Sequence, residues 1–273
     1  MRAECGDTPG RAHKLGVSDQ RAVDTVNGDR KIRAEEYNGK TERARQRKCI
    51  LVPVYQEGKP IGPLVRKIRE YVSDVVVVDD GSTDDTAAQA RQAGAYVLTH
   101  PENMGKGVAL NTGFRHVRDR NYDYVICLDG NGRHNPADIP CFIDAYERTG
   151  IPVLIGNRMR YPALMPRSHR VANRFLSWLL SVTMAQYIPD TQCGFRLYRC
   201  DVLPFVEAHE NRFAAESEVL LHAVVRGIRV GAVPIKAVYG VKHRETNVML
   251  VVWRFVALML RHYRQRHGRR SDW

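Results

Sequence analysis

Short apolar runs alternate with helix-length amphipathic segments along the first part of the chain. The apolar runs are "CILVPVY", "DVVVVDD", "AYVLTH", "YVICLDG" and "VLIGNR". Their β-branched residues, with little polar alternation, are typical of strands that are buried on both faces. The helix-length segments between them are Pro60–Tyr71, Asp84–Ala93, Gly105–Arg118 and Pro136–Thr149. This order predicts an α/β fold with a mostly parallel sheet, Rossmann-like and flanked by helices.

The regular alternation ends after Arg158. The segment "RSHRVANRFLSWLLSVTMAQY" predicts a long amphipathic helix, and "DTQCGFRLYRC" predicts a strand. A helix is then expected in "AAESEVLLHAVVRG" and a strand in "VGAVPIKAVYG". We therefore divide the chain into a disordered or loosely structured polar arm (residues 1–47), one α/β domain (residues 48–246) and a basic amphipathic helix (residues 247–273).

Charge and cysteine content narrow the possible partners and the compartment. The 273 residues carry a formal net charge of +12, which favours nucleic acid, phosphorylated metabolites or an anionic membrane surface as partners. The six cysteines form no C-x-x-C pair, so a zinc site is not expected. Cys49, Cys127 and Cys193 lie in or beside strand-like runs, which suits reduced thiols and a cytoplasmic protein. The sequence shows neither a secretory signal nor an apolar stretch of the ~20 residues that cross a bilayer.

Polar and small residues follow several of the predicted strands. Ligands of an open parallel sheet bind beyond the carboxyl ends of its strands, so these residues are expected to share one rim. They are Pro53, Tyr55 and Glu57; Asp79 and Asp80; Lys106 in the "NMGKG" turn; Asp129 with Asn131; and Asn157 with Arg158. Acids beside an aromatic suit a base and a ribose, whereas Lys106 and the N–H groups of the helix that follows it suit phosphate. The rim therefore predicts a nucleotide-type ligand.

Six of these segments together resemble a known family. In order they are "ILVPVYQEG", "VVVVDDGSTDDT", "NMGKGVALNTGF", "LDGNGRHNP", "IGNRM" and "DTQCGFRLYR". Their order and spacing are similar to those of the family 2 glycosyltransferases, in particular the polyprenyl-phosphate branch typified by dolichol-phosphate mannose synthase. The resemblance covers roughly residues 49–239. It implies a GT-A fold, a nucleotide-sugar donor, a polyprenyl-phosphate acceptor, Mg²⁺ or Mn²⁺, and inversion at the anomeric carbon.

The resemblance also implies roles for individual residues. Asp129 and Asn131 occupy the D-x-D motif, whose acids hold the metal, and Arg133 stands where the branch usually has glutamine. Asp190 and Arg196 belong to the D-x-x-x-G-F-R segment beside the acceptor. Pro53, Tyr55, Glu57 and one or both of Asp79 and Asp80 would hold the nucleoside, and Asp129 and Arg158 would lie at the diphosphate. Lys106, expected at phosphate from its place in the turn, completes the predicted donor-binding set.

Asn131 is the main departure from the family pattern. Its amide oxygen can still bind a metal, but it lacks the charge of an aspartate, so we expect a weakly bound Mg²⁺ or Mn²⁺. Arg133 is expected to offset this loss by pairing with the diphosphate as negative charge develops there. The alternative is a catalytically weak or silent sugar-nucleotide binder.

The acceptor determines whether a catalytic base is required. A phosphate monoester, with a second pKa near ~6, is already a nucleophile at neutral pH, whereas a soluble or protein-bound hydroxyl needs a carboxylate to take its proton. The candidate bases are Asp190, Glu216 and Glu218. The two glutamates could equally stabilise the start of a helix through its dipole, and Asp190 could serve only as a cap or an arginine partner.

Basic residues in the second half suit a lipid phosphate. The candidates for acceptor binding are Arg174, Arg196, Lys242 and Arg244. The C-terminal helix mixes aromatic and leucine side chains with arginines, which fits an interfacial anchor of a peripheral protein; packing on a membrane partner subunit is the alternative. Nucleic acid is not expected, because the acids at the strand ends would repel its backbone.

Overall fold

A seven-stranded sheet forms the centre of the domain. The computed structural model describes residues 46–161, 165–184, 186–208, 215–236, 238, 252–253 and 256–257, without the side chains of residues 183, 184 and 216. The strands are β1 (Lys48–Val54), β2 (Val75–Asp79), β3 (Tyr96–Thr99), β4 (Tyr124–Cys127), β5 (Val153–Asn157), β6 (Arg196–Arg199) and β7 (Val230–Pro234). Their order in the sheet is β3-β2-β1-β4-β6-β5-β7.

The predicted α/β fold with a mostly parallel sheet is confirmed. β1 pairs in parallel with β2 and β4, and β5 pairs in parallel with β7. The exception is β6, which is antiparallel to both β4 and β5. Because β4 and β5 are both antiparallel to β6, they run in the same direction as each other. Both therefore bring their carboxyl ends to the same rim as β1 and β2.

Helices cover both faces of the sheet. They are α1 (Gly58–Ile68), α2 (Thr86–Gln92), α3 (Lys106–Asp119), α4 (Ile139–Thr149), α5 (Arg167–Met184) and α6 (Ala215–Val225). Short 3-10 helices occur at Pro136–Asp138, Arg158–Arg160 and Cys200–Phe205. None of the helices in the described ranges is both long and apolar enough to cross a membrane.

Alternate residues of β1 enter two separate cores, as expected from the two-residue period of a strand. Cys49 and Leu51 join a cluster that includes Phe114 of α3 and Leu176 of α5. Ile50 and Val52 join a cluster on the other face, formed largely with α1 and α4. This burial on both sides explains why the strands appear in the sequence as unbroken apolar runs.

The predicted strand at residues 190–200 is shorter in the structure, because only Arg196–Arg199 pair with neighbouring strands. In the preceding segment the polar groups bond to side chains instead of to a strand. The guanidinium of Arg196 donates to the carbonyl oxygens of Cys193 at 2.7 Å and Thr191 at 2.8 Å. Thr191 N donates to Ser177 Oγ of α5 at 3.1 Å. The segment thus forms a fixed loop rather than more sheet.

Candidate active site

The loops after β1 and β2 are joined by hydrogen bonds from backbone to side chain. Gln56 N donates to Ser82 Oγ at 2.9 Å, Glu57 N to Thr86 Oγ1 at 2.9 Å and Gly58 N to Asp84 Oδ2 at 3.1 Å. Gln56 has a positive φ of 58°, which turns the chain sharply at this point. The second loop therefore supplies acceptors to the first N–H groups around the start of α1, and it fixes Glu57 at the rim.

Asp80 holds the turn that precedes α3. Its Oδ1 accepts from Met104 N at 3.0 Å and lies 2.7 Å from His100 Nδ1, and its Oδ2 accepts from Gly105 N at 2.7 Å. The residue is buried. Both carboxylate oxygens therefore organise the "NMGKG" turn, which favours a supporting role over direct contact with the nucleoside. Asp79 is equally buried, but the described contact of its carboxylate is a single bond from Ser82 N to Oδ1 at 3.2 Å, so of the two predicted acids it stays the candidate for the nucleoside.

Asp129 lies between two basic side chains at the end of β4. Lys106 Nζ is 2.5 Å from Asp129 Oδ1, and His134 Nε2 is 3.2 Å from Oδ2. Burial alone would raise the pKa of Asp129, but the Lys106 charge and the bond to His134 hold the pKa well below its usual range. Asp129 is therefore ionised at neutral pH, and the predicted phosphate ligand Lys106 and the predicted metal ligand Asp129 meet directly.

A glycine allows the loop of residues 190–195 to approach this carboxylate closely. A Cβ added at Gly194 would lie 2.5 Å from Asp129 Oδ1 and 2.7 Å from Oδ2. Real Cβ atoms do not come so near to an oxygen, so a larger residue at position 194 would displace either the loop or Asp129. The D-x-x-x-G-F-R segment is thus in contact with the D-x-D aspartate.

Asn131 and Arg133 form a tight turn next to Asp129. Asn131 Oδ1 accepts a hydrogen bond from Arg133 N at 3.1 Å, as in an Asx turn. Arg133 O accepts from Val238 N at 3.1 Å, so the chain that follows β7 passes this turn. The amide oxygen of Asn131 already has a partner in this conformation, and metal binding through it would compete with the turn.

Glu57 shares its electrostatic environment with this turn. Burial raises the pKa of Glu57, the Arg133 charge lowers it, and the carboxylates of Asp84 and Asp129 raise it. The net effect is a raised pKa. Three predicted site residues (Glu57, Asp129 and Arg133) therefore influence one another across the rim, while Tyr55 beside them is exposed.

Arg158 and Asp190 form a buried ion pair at the end of β5. Arg158 donates to Asp190 Oδ2 from its backbone N at 3.1 Å and from Nε at 2.8 Å, and to Oδ1 from Nη2 at 2.9 Å. Oδ1 also accepts from Asn173 Nδ2 of α5 at 2.8 Å and from Gln192 N at 3.3 Å. Burial opposes the charge of Asp190, but Arg158 and these bonds hold its pKa below the usual value.

This pairing bears on the predicted catalytic role of Asp190. The side chain is fully buried, and its five donors occupy the roughly four lone-pair sites of a carboxylate. A carboxylate with no available lone pair and a lowered pKa is a poor proton acceptor. The geometry therefore favours the arginine-pairing role and leaves Arg158 fixed at the rim.

Arg196 does not reach the rim. Its side chain is 1% exposed and is held by the carbonyl oxygens named above and by Tyr198 Oη at 3.3 Å. These contacts favour a structural role over the predicted contact with the acceptor. Arg174, by contrast, is exposed on α5, one residue from the Asn173 that bonds to Asp190.

The remaining predicted residues are only partly covered by the structure. Glu218 is 4% exposed, and its Oε1 lies 3.9 Å from His222 Nε2 on the next turn of α6. The neighbouring Ser217 Oγ accepts from Gln192 Nε2 at 2.9 Å, which connects α6 to the loop beside Asp190. The side chain of Glu216 lies outside the described residues, as do Lys242, Arg244, the polar arm before Gln46 and most of the C-terminal helix.

Two further residues near Asp129, His134 and Asp138, are not apparent from the sequence as parts of the candidate site. His134 is buried and bonds to Asp129, and among the described residues its Nδ1 and Asp138 Oδ2 are buried without a hydrogen-bond partner. Burial raises the pKa of Asp138 to about 6, although the charges of His134 and Lys236 lower it in part. Only the spacing of His134 five residues after Asp129 could have indicated its contact.

Replacing Asp138 by asparagine is expected to stabilise the protein at neutral pH. Because the folded-state pKa is raised to about 6 from 3.8, stability falls as the pH rises between these values. Partial exposure screens this effect, so we expect a gain of about 1 kcal/mol for Asp138→Asn at pH 7.5 and a smaller one at pH 5. Urea unfolding at both pH values measures it, and an equal gain at both would contradict the titration.

The model of the family described as Glycosyl transferase family 2 matches residues 49–205, more than half of the chain. The chain belongs to glycosyltransferase family 2. The predicted family resemblance and the glycosyltransferase activity are thereby confirmed. The matched range contains the strand-end rim, the Lys106–Asp129 pair and the Arg158–Asp190 pair.

Curated relatives of this glycosyltransferase include enzymes named for polyprenyl phosphates. The UDP-N-acetylglucosamine–dolichyl-phosphate N-acetylglucosaminyltransferase of Methanococcus voltae is 27% identical over 236 residues, covering 77% of this chain and 94% of the relative. The undecaprenyl-phosphate mannosyltransferase of Micrococcus luteus is 29% identical over 203 residues, covering 69% and 82%. The predicted similarity to this branch is thus confirmed.

Solved structures show the same fold. The glucosyl-3-phosphoglycerate synthase of Mycobacterium tuberculosis, in complex with Mn²⁺, UDP and glucosyl-3-phosphoglycerate, superposes with a TM-score of 0.66. It is 18% identical, and the match covers 89% of this chain and 85% of the synthase. Together with the family match, this confirms the predicted GT-A fold.

Proposed function

We propose that this glycosyltransferase transfers a hexose from a nucleotide-diphospho-sugar to a polyprenyl phosphate at a membrane surface, with inversion at the anomeric carbon. The observation that carries the acceptor assignment is the saturated Asp190 carboxylate, which is unsuited to deprotonating a hydroxyl. A phosphate monoester needs no base at neutral pH. The names of the relatives from M. voltae and M. luteus support the same acceptor class.

We assign the binding site of the nucleotide-sugar donor to the rim formed by β1, β2, β4 and β5. Pro53, Tyr55, Glu57 and Asp79 would contact the nucleoside, since they follow the two strands whose loops are joined. Lys106, Arg133 and Arg158 would face the diphosphate. Three cations at this position would stabilise the negative charge that develops on the leaving diphosphate.

A divalent metal fits this site only if the diphosphate shares in its coordination. The protein ligands available to a metal here are the Asp129 carboxylate and the Asn131 amide oxygen. The described residues contain no cluster of three or more acidic, histidine or cysteine ligands. Mg²⁺ often takes one or two carboxylates and completes its shell with phosphate and water. When bound, the metal would neutralise charge on the diphosphate. Solved neighbours contain Mn²⁺ or Mg²⁺ with UDP, which supports divalent metal use.

Transfer would proceed by a single displacement. An acceptor phosphate oxygen forms a bond to the anomeric carbon on the face opposite the diphosphate, while the bond from that carbon to the diphosphate oxygen breaks. Lys106 and Arg158 hold the leaving group in line. Glu216 and Glu218 stay as candidate bases for the alternative of a hydroxyl acceptor, which the names of the M. voltae and M. luteus relatives do not support.

Nucleotide-dependent stabilisation tests the donor site. Thermal unfolding is measured with UDP, GDP and their sugar conjugates, each with and without Mn²⁺. A ligand at a hundred times its Kd adds about 2.7 kcal/mol, so one nucleotide is expected to raise the Tm clearly, and more so with metal. Absence of any shift would overturn the donor assignment. Transfer of labelled sugar to extracted polyprenyl phosphate then tests the acceptor.

Restoring the second carboxylate is expected to strengthen metal binding. Asn131→Asp adds a charged oxygen ligand, so Mn²⁺ affinity measured by calorimetry in the presence of the nucleotide should rise about tenfold, worth ~1.4 kcal/mol. The control is Asn135→Asp, an exposed position on the same loop that caps the helix at Pro136–Asp138 and should leave affinity unchanged. Tighter metal binding without a gain in transfer would show that metal affinity does not limit transfer.

A further inference from the structure

A largely buried histidine connects the end of β2 with α3. His100 follows β3 directly, and its side chain is 10% exposed. The ring nitrogen Nδ1 lies 2.7 Å from Asp80 Oδ1, and Nε2 lies 3.0 Å from Thr112 Oγ1 on the second turn of α3. Both ring nitrogens therefore have a partner, and the two partners belong to different elements of the fold.

The proton between His100 and Asp80 belongs to the histidine. Oδ1 of Asp80 already accepts from Met104 N at 3.0 Å, and Oδ2 accepts from Gly105 N at 2.7 Å. Because the carboxylate is an acceptor at both oxygens, Nδ1 is the donor. In the neutral ring, Nε2 then accepts from the hydroxyl of Thr112, so each hydrogen bond supports the orientation of the next.

The orientation of the Asp80 carboxylate depends on His100. The backbone of Asp80 is fixed, because its N–H donates to Val54 O at 2.9 Å at the end of β1, but its side chain can still rotate. Among the described donors to this carboxylate, His100 alone lies outside the turn of residues 103–107. Its own backbone N–H donates to Asp79 O at 2.9 Å, and its ring is joined to α3. The imidazole therefore holds the carboxylate in place, and the carboxylate holds the turn.

This turn has an uncommon backbone conformation and little space around it. Gly105 has a φ of 99°, and it precedes Lys106, the first residue of α3. A Cβ added at Gly81 would lie 2.3 Å from the carbonyl carbon of Glu102, so the loop after β2 and the segment leading into the turn are in close contact. Lys106 Nζ lies 2.5 Å from Asp129 Oδ1. The position of this ammonium group therefore follows the position of the turn.

From this arrangement we infer that His100 is a positioning residue for glycosyl transfer. Its ring fixes the Asp80 carboxylate, the carboxylate fixes the turn, and the turn places Lys106 where negative charge develops on the leaving diphosphate. The inference rests on the proposed function for the place of Lys106 at the diphosphate. A displacement of about 1 Å in a group that meets this charge can cost ~100-fold in rate. The imidazole itself does not take part in the reaction.

Two amide substitutions separate positioning from packing. His100→Asn places an amide nitrogen the same number of bonds from Cα as Nδ1, so it can still donate to Asp80. His100→Gln places its amide nitrogen at the level of Nε2, so it can bond to Thr112 but is displaced from Asp80. If His100 only filled space, the larger glutamine would be the better replacement. If His100 positions the turn, the smaller asparagine is the better one.

The activity test is initial-rate transfer to extracted polyprenyl phosphate at varied donor concentration. We expect His100→Gln to lower kcat about 30-fold and to change the donor KM less than about threefold, because the affected charge develops in the transition state. His100→Asn should retain most of the wild-type kcat. In a Lys106→Met background, His100→Gln should have less than about a twofold further effect, since both changes act through the same ammonium group. The control His116→Asn changes a histidine of α3 that stacks on Tyr96, with ring centroids 4.7 Å apart, and should keep the wild-type kcat.

Hydrogen exchange tests the same inference without any transfer. The N–H groups of Met104 and Gly105 donate to Asp80, so their exchange reports how firmly the carboxylate is held. These two amides should exchange about tenfold faster in His100→Gln than in the wild type, and at close to the wild-type rate in His100→Asn. The Tm of each sample shows that the variants are folded.

Three outcomes would overturn the inference. They are a His100→Gln variant whose kcat is at least that of His100→Asn, losses from His100→Gln and Lys106→Met that multiply in the double variant, and turn amides that exchange equally in the wild type and both His100 variants. A wild type that transfers no sugar, but whose variants show the expected order of exchange rates, would count against the proposed function only.

Discussion

Replacing Asp129 by asparagine is expected to lower kcat/KM for sugar transfer by about a thousandfold, or ~4 kcal/mol of transition-state stabilisation. Asp129 is the only carboxylate of the D-x-D motif, and it also positions Lys106 at 2.5 Å and His134 at 3.2 Å. Asparagine has nearly the same shape and can accept from Lys106, so the fold should persist. The measurement is initial-rate transfer to extracted polyprenyl phosphate at varied donor and Mn²⁺ concentrations.

A matched control separates this effect from a general change in charge. Asp144→Asn removes one carboxylate from an exposed position on α4 and should leave kcat/KM within twofold of the wild type, since most surface substitutions have small effects. If Asp129→Asn retained more than a tenth of the activity, the assignment of Asp129 to the leaving diphosphate would fail. An unchanged Tm in both variants is needed for the comparison.

Removing Arg158 is expected to destabilise the fold by about 3–5 kcal/mol. Arg158→Met leaves Asp190 ionised and fully buried without its counter-charge. Asp190→Asn is expected to cost less, about 2 kcal/mol, because Arg158 is 17% exposed and can turn toward water. Arg158→Met/Asp190→Asn should recover part of the loss of the arginine variant, since no unpaired buried charge remains.

The pH dependence provides a second test of this pair. The folded-state pKa of Asp190 is lowered, so the pair stabilises the wild type above the ordinary carboxyl pKa and loses this contribution as the pH falls through the lowered value. In Arg158→Met the pKa of Asp190 should rise, so the cost should be smaller at pH 5 than at pH 8. Urea unfolding at the two pH values provides the comparison.

An exposed arginine–aspartate pair serves as the control. Arg199 Nε and Asp201 Oδ1 are 2.6 Å apart, but their side chains are 40% and 60% exposed. Arg199→Met should therefore cost less than about 1 kcal/mol. A similar cost for Arg158→Met and Arg199→Met would show that burial of Asp190 does not determine the stability of the pair.

Sequence patterns predicted the strands and the rim successfully because both depend on local features. Strands buried on two faces appear as continuous β-branched runs. β2, β4 and β5 lie within the predicted runs, and β1 begins one residue before its run. Parallel strands bring their carboxyl ends to one edge, so the strand-end acids Asp79 and Asp129 could be placed at the same rim without knowing the sheet order. The roles assigned to them remain predictions.

Pairing across the fold was harder to predict. Lys106 and Asp129 are 23 residues apart, and Arg158 and Asp190 are 32 apart, so no periodicity connects them. Asp190 and Arg196 fitted a motif beside the acceptor, but the structure shows one saturated by donors and the other inside the core. The place of a residue in a motif indicates which part of the fold it occupies. Its burial and the number of hydrogen-bond donors around it determine whether it can bind a ligand or accept a proton.

The sequence by itself determined the α/β class, the strand-end acids and the family, because hydrophobic period and short motifs are local properties of the chain. Only the tertiary structure decided that β6 is antiparallel, that Asp190 is paired rather than available, and that α5 turns Val171, Phe175, Trp178 and Val182 outward. The physical reason is that the amphipathic pattern of α5 specifies only that one of its faces is buried. The face that is buried is determined by a contact across the fold, the hydrogen bond from Asn173 to Asp190.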